Sequence, residues 1–230
     1  MSIAENLKSV RERIDAAARR SGRTGADITL VAVTKTHPPA MMNEAIEAGA
    51  ADIGENKPQE VRDKFDSVLE ARWHLIGHLQ TNKVKYVIDR CVMIQSVDSI
   101  KLMDEIERQA RSHGRVMDIL IQVNISGEES KSGISPGGLD ELLRHAEELE
   151  NVRVRGLMTI IPIGDSADNA FHFGNMKRLF DETAGKSYKN VSMEYLSMGM
   201  SGDFETAIEC GSNMVRVGSA VFGARDYSKK

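Results

Sequence analysis

Eight short apolar runs, separated by segments with helical patterning, constrain this chain more than any other feature of its sequence. The runs are rich in Val, Ile and Leu and occupy 29–35, 51–56, 73–79, 91–97, 117–124, 152–160, 191–199 and 214–223. Between them, 41–48, 59–69, 102–113, 139–149 and 176–183 place apolar residues at helical spacing. Strand and helix alternating in this way predict parallel pairing, because each helix carries the chain back to the end of the sheet where it started. The shortest connection, 80–90, has 11 residues, close to the minimum for such a crossover. Pro38, Pro39, Pro58 and Pro136 fall at or just before first helical turns, where a missing N–H costs little. Eight strands within 230 residues fit an α/β fold, a single-domain (β/α)8 barrel of TIM type spanning 1–230. An open doubly wound sheet is the alternative. Its G-x-G-x-x-G fingerprint is missing after the first run, which leads straight into Lys35, Thr36, His37 and Pro38.

Residues 1–20 precede this repeat. Ile3, Leu7, Val10 and Ile14 step by four, three and four, which predicts an amphipathic covering helix that closes one end of the barrel. Arg11, Arg13, Arg19 and Arg20 give the segment the look of a transit peptide, but Glu5, Glu12 and Asp15 argue against one. No apolar run approaches the roughly 18 residues that a membrane span requires. A net charge of −4 with 5 % aromatic residues offers neither the basic stripe nor the stacking surface of a nucleic-acid binder. Cys91 and Cys210 lie far apart with no C-x-x-C spacing, which suits reduced packing thiols and a cytoplasmic protein.

Barrels of this type collect their chemistry at the C-terminal ends of the strands. Lys35 closes the first run, so an amine is delivered to the rim beside an apolar interior. Desolvation there favours the neutral amine, a nucleophile for a carbonyl; a solvated lysine that merely ends a strand is the plainer reading. A second constellation comprises 196–203 and Arg216, Val217, Gly218 and Ser219. It lies after the seventh run and inside the eighth, where barrels often build a phosphate site. Ser201 is expected to cap the helix running to Glu209, with its hydroxyl also available to a phosphate oxygen. Gly218 would let backbone approach a ligand closely. Asn56 and Asn124 end the second and fifth runs, as ring-binding amides or as turn formers. The spacing of His74 and His78 predicts that they share one face of the third strand, but without a matching carboxylate or cysteine pattern they indicate no metal site. Met193, Met198 and Met200 are expected to fill the barrel.

Five segments in order resemble the pyridoxal phosphate homeostasis protein family: Val31 to Lys35, Gly54-Glu55-Asn56, Trp73 to Lys83, Leu196 to Asp203, and Met214 to Ser219. The family has a barrel similar to the N-terminal domain of alanine racemase. Lys57 and Pro58 after the Gly-Glu-Asn triplet, and Asn213 where threonine is expected, depart from its pattern. The resemblance implies that Lys35 forms a covalent aldimine with pyridoxal 5′-phosphate. It implies that Ser201, Gly218 and Ser219 hold the phosphate, that Arg216 faces the pyridine nitrogen, and that Asn56 lies near the ring. A guanidinium has no acceptor and cannot stabilise a protonated pyridine as a carboxylate does, so the cofactor becomes a poorer electron sink. The implied role is a monomeric, non-catalytic holder that buffers the cofactor and delivers it to apo-enzymes. An amino-acid racemase is the first alternative, although racemases of this fold carry a second, β-rich domain for which the chain leaves no room. A Schiff-base aldolase that uses Lys35 without a cofactor is the second.

Overall fold

The computed structural model describes residues 2–128 and 131–223. Its strands are β1 (Thr29–Val33), β2 (Asp52–Glu55), β3 (Arg72–Leu75), β4 (Cys91–Val97), β5 (Met117–Gln122), β6 (Val152–Met158), β7 (Val191–Ser197) and β8 (Met214–Val217). Each pairs in parallel with the next, and β8 returns to β1, with Thr29 beside Met214 and Ala32 beside Val217. That seam makes the sheet a closed barrel and excludes the open alternative. The helices are α1 (Ile3–Arg20), α2 (Pro39–Glu47), α3 (Pro58–Lys64), α4 (Ile100–Ser112), α5 (Leu139–Ala146), α6 (Ser166–Ala184), α7 (Phe204–Glu209) and α8 (Ser219–Phe222). Pro39 and Pro58 occupy first helical turns.

The period-two alternation of each strand sorts its apolar side chains into two sets. Ala32, Ile53, Leu75, Ile94, Ile119 and Leu157 belong to the large core beneath the helices. Val31, Met93, Leu120, Met158 and Met214 form a smaller cluster inside the barrel.

Several expectations need correction. α1 begins at a capping box, with Ser2 Oγ accepting from the Glu5 N–H and the Glu5 carboxylate accepting from the Ser2 N–H, and its stripe of Ile3, Leu7, Val10 and Ile14 is buried. The helix does not close an end of the barrel. It packs in the outer ring against α2, α7 and α8, tied by Asn6 to the Val221 carbonyl at one end (2.9 Å) and by Arg23 to the Ser212 carbonyl beyond the other (2.8 Å). The reason is that α8 has only four residues, too few to cover the β8–β1 seam, so the stripe of α1 covers it.

The run 214–223 is not one strand either. The chain leaves the sheet at Gly218 and turns into α8, a switch that a short apolar run does not reveal. The pattern at 176–183 is the second half of α6, whose polar first half starts where Asp165 accepts from the Ala167 and Asp168 N–H groups (2.8 and 3.0 Å). The run 73–79 is a strand only to Leu75, and 80–90 crosses over through a 3-10 helix, Thr81–Tyr86.

Candidate cofactor site

The C-terminal ends of eight parallel strands share one mouth of the barrel, and a cavity of about 360 Å3 opens there. Lys35, Asn56, Ser201, Arg216, Gly218 and Ser219 all line it, so six residues from four separate segments meet in one place. Lys35 and Ser219 also both line an adjoining crevice. Sequence reasoning missed much of the remaining wall, including Ile76, Gln122, Ser132 and Ile160. For Ile76, Gln122 and Ile160 only a position at or just past a strand end could have signalled them, and Ser132, in the loop after β5, had no such signal. Met200 also lines the cavity and is 37 % exposed, so it is site wall and not barrel filling; Met198, fully buried, and Met193, partly buried, pack with the core beneath the helices and not inside the barrel.

Lys35 is half-buried, two residues past the end of β1. Its two neighbours are both fixed. Thr34 Oγ1 donates to Glu55 Oε1 (2.8 Å), and the Thr36 N–H donates to Glu60 Oε2 (2.8 Å). Thr36 has φ +67°, a left-handed conformation uncommon for a β-branched residue. Lys64 joins the two glutamates, with Nζ 2.9 Å from Glu55 Oε1 and 2.6 Å from Glu60 Oε2. Burial pushes the Glu55 carboxyl above the usual range against the pull of Lys64. Burial acts the same way on Glu60, but the bonds from Lys64 and the Thr36 N–H outweigh it and hold that carboxyl low. Farther along the loop, the His37 ring stacks on Phe222 of α8 with centroids 4.7 Å apart.

Asn56 passes close to Gly77, where a Cβ would stand 2.4 Å from the Asn56 carbonyl oxygen. Only glycine lets the two loops run this close. Asn124 is absent from the cavity wall; its amide donates to the Glu128 carbonyl (2.8 Å) and accepts from the Gly127 N–H (3.1 Å), so it is a turn former. Ser201 does not cap α7, whose N-cap is Asp203. Its Oγ instead accepts from the Gly218 and Ala220 N–H groups (3.1 and 3.3 Å). The hydroxyl is thereby oriented from across the mouth, by the segment that carries Ser219.

Arg216 is 3 % exposed, and burial pushes its pKa down to about 10 although Asp203 acts in the opposite direction. It therefore stays protonated at neutral pH. Its guanidinium donates to the Thr159 carbonyl (2.8 Å) and to Ser197 Oγ (2.6 Å). From there a file of hydrogen bonds runs down the barrel interior. Ser197 Oγ donates to Gln95 Oε1 (2.7 Å), and Gln95 Nε2 lies 3.1 Å from His74 Nδ1. His74 Nε2 is 2.9 Å from Asp52 Oδ1, and Asp52 also receives both arms of the Arg72 fork. Arginine only donates and a carboxylate only accepts, so Arg216 feeds the file at the mouth and Asp52 ends it, lying against His74 and taking both hydrogen bonds from Arg72. His74 is thus interior, whereas His78 lies beyond β3 at the rim, exposed and 3.8 Å from Asp98. The two do not share a strand face. Among the described residues no three His, Cys, Asp or Glu side chains are grouped to hold a metal, and no helix is long and apolar enough to cross a membrane.

The family model for the alanine racemase N-terminal domain matches residues 5–226. A pyridoxal phosphate homeostasis protein of Aquifex aeolicus is 43 % identical over 99 % of this chain and 100 % of its own length. The chain belongs to the pyridoxal phosphate homeostasis protein family. The structure of PipY from Synechococcus elongatus with PLP bound superposes at a TM-score of 0.83, with 31 % identity over 96 % of this chain and 100 % of that one. Alanine racemase of Streptomyces lavendulae shares the fold alone, at a TM-score of 0.75 and 21 % identity, over 95 % of this chain but 58 % of the racemase.

Proposed function

We propose that this chain binds pyridoxal 5′-phosphate covalently through Lys35 and acts as a holder that buffers the cofactor and passes it to apo-enzymes, with residues 1–230 working as one barrel unit. The observation that carries this reading is the donor set of the cavity. Lys35 brings an amine for an aldehyde. The hydroxyls of Ser201 and Ser219 suit a phosphate, and the N–H of Ser219, first in α8, has no preceding turn to accept it. Among the described residues, no carboxylate lines the cavity. Such a set fits a ligand that is both aldehyde and phosphate, and the family membership and the PLP-bound PipY structure agree with it.

When bound, the cofactor supplies an aldehyde for covalent attachment and a ring able to withdraw electrons. The residues around it limit the second property. Arg216 is locked as a donor by Ser197 and Thr159 and cannot accept a proton from a ring nitrogen. Catalytic racemisation also needs bases on both sides of the substrate, and besides Lys35 the described cavity wall has only the exposed His78. These features support storage over turnover. The test is a visible spectrum of the purified protein before and after borohydride reduction, followed by peptide mapping. Yellow protein with the reduced label on Lys35 is expected. A colourless protein after incubation with the cofactor, a label elsewhere, or amino-acid racemisation on the order of 1 per second or faster would refute the assignment.

A further inference from the structure

Beyond the ligand-lining residues, a buried ionic cluster stands directly behind the lysine. We propose that Glu60, held by Lys64, is a positioning residue that aims the amine of Lys35 by fixing the backbone at Thr36, immediately after it. The inference rests on Lys35 being the attachment point. Its basis is that one cluster grips both flanking residues. Thr34 is held through its side chain by Glu55 Oε1 at 2.8 Å, and its carbonyl lies 3.4 Å from Lys64 Nζ. Thr36 is held through its N–H by Glu60 Oε2 at 2.8 Å. Lys64 bridges the two carboxylates, and the three side chains are only 13 %, 0 % and 18 % exposed for Lys64, Glu55 and Glu60.

The conformation being held is unfavourable on its own. Thr36 sits at φ +67°, where a β-branched residue persists only if its surroundings over-determine it. Helix α3 delivers Glu60 and Lys64 one turn apart on one face, starting at Pro58 just after the Gly-Glu-Asn segment. That segment therefore has two roles: Asn56 lines the cavity, while Glu55, pointing the other way, anchors the cluster. Glu55 Oε2 is buried without a partner, so the cluster has been assembled at a cost that packing alone does not explain. Attachment is a condensation in which the Lys35 nitrogen forms a C=N bond with the aldehyde carbon and one water leaves. Its rate depends on where that nitrogen stands, because a displacement of the reacting atom by about 1 Å can cost a hundredfold.

The experiment compares two ligands on the full-length protein stripped of cofactor. Pyridoxal 5′-phosphate reports covalent capture through its absorbance change, and pyridoxine 5′-phosphate, with an alcohol in place of the aldehyde, reports non-covalent binding alone. Glu60→Ala should slow capture about ten- to hundredfold while changing the affinity for pyridoxine 5′-phosphate less than about twofold. Glu60→Gln, whose amide oxygen can still accept from the Thr36 N–H, should recover most of the rate. If Glu60→Ala misfolds, Glu60→Asp, which keeps the charge but shortens the reach, must show the same selective slowing. Unchanged capture in a folded Glu60→Ala, or equal losses for both ligands, would overturn the positioning role. Failure of the unsubstituted protein to capture the cofactor at Lys35 would instead overturn the reading on which it rests, and this inference with it.

Discussion

The file of hydrogen bonds through the barrel makes a quantitative demand on Gln95. Replacing it by leucine keeps nearly the same volume but removes both the acceptor of the Ser197 hydroxyl and the donor to His74 Nδ1. Both partners are buried, Ser197 at 0 % and His74 at 3 % exposure, so water cannot replace the lost partner. Each orphaned buried group costs about 1–3 kcal/mol. The leucine itself recovers some of this by removing a polar side chain from the interior, which leaves a destabilisation of about 2–5 kcal/mol for Gln95→Leu. For a chain of this length each 1 kcal/mol shifts the midpoint by about 2–4 °C, so a drop of about 4–20 °C is expected. Denaturant titration gives the energy and thermal melting the shift. A Gln95→Leu variant within about 0.5 kcal/mol of the parent would refute the reasoning.

Other residues give further expectations. Lys35→Ala should leave no borohydride-fixed label by mass spectrometry, with stability within about 1 kcal/mol of the parent, because Lys35 belongs to neither apolar cluster. Ser201→Ala combined with Ser219→Ala should weaken phosphate-bearing ligands about a hundredfold. Two bonds to a charged group contribute about 1.5–3 kcal/mol each, and the lower end applies because the Gly218 and Ala220 N–H groups released by Ser201 become free to bind the phosphate. Equilibrium titration with pyridoxal lacking the phosphate should show little change. Burial acts to raise the Asp52 carboxyl, but the hydrogen bonds from His74 and Arg72 prevail and hold it below its ordinary value. Its contribution to stability is therefore complete above the unfolded carboxylate pKa of about 3.9 and is lost as the pH falls below that value toward the folded pKa. Unfolding free energies measured across that range should fall less steeply for Asp52→Asn.

The barrel was legible because each strand is an apolar run of the right length flanked by helical spacing, and this survives at β4, where 91–97 is the strand. Lys35 and Arg216 were legible for the same reason: one just past β1 and the other on β8, both belong to strands whose ends point to the shared mouth. What stayed hidden depends on contacts far apart in the chain. Ser201 reads as a helix cap because it precedes a helix, yet its partners are Gly218 and Ala220. Nothing local to Glu55 or Glu60 says that Lys64 will meet both behind the Lys35 loop. The change from strand to helix at Gly218 was invisible because Val221 and Phe222 are as apolar as the strand before them.

The place of α1 in the outer ring also has a consequence for how the molecule comes into being. Its apolar stripe can meet α2 early but is not fully covered until α7 and α8 exist, and the tie from Asn6 to Val221 spans 215 positions. A chain growing at roughly 5–20 residues per second carries that stripe incompletely covered for about 10–40 s before the eighth strand can meet the first. Non-local closure of this kind is slow and exposes sticky surface while it waits. The charged residues Glu5, Lys8, Arg11, Glu12 and Arg19 on the opposite face of α1 are the part of the helix that keeps the nascent segment solvated during that interval.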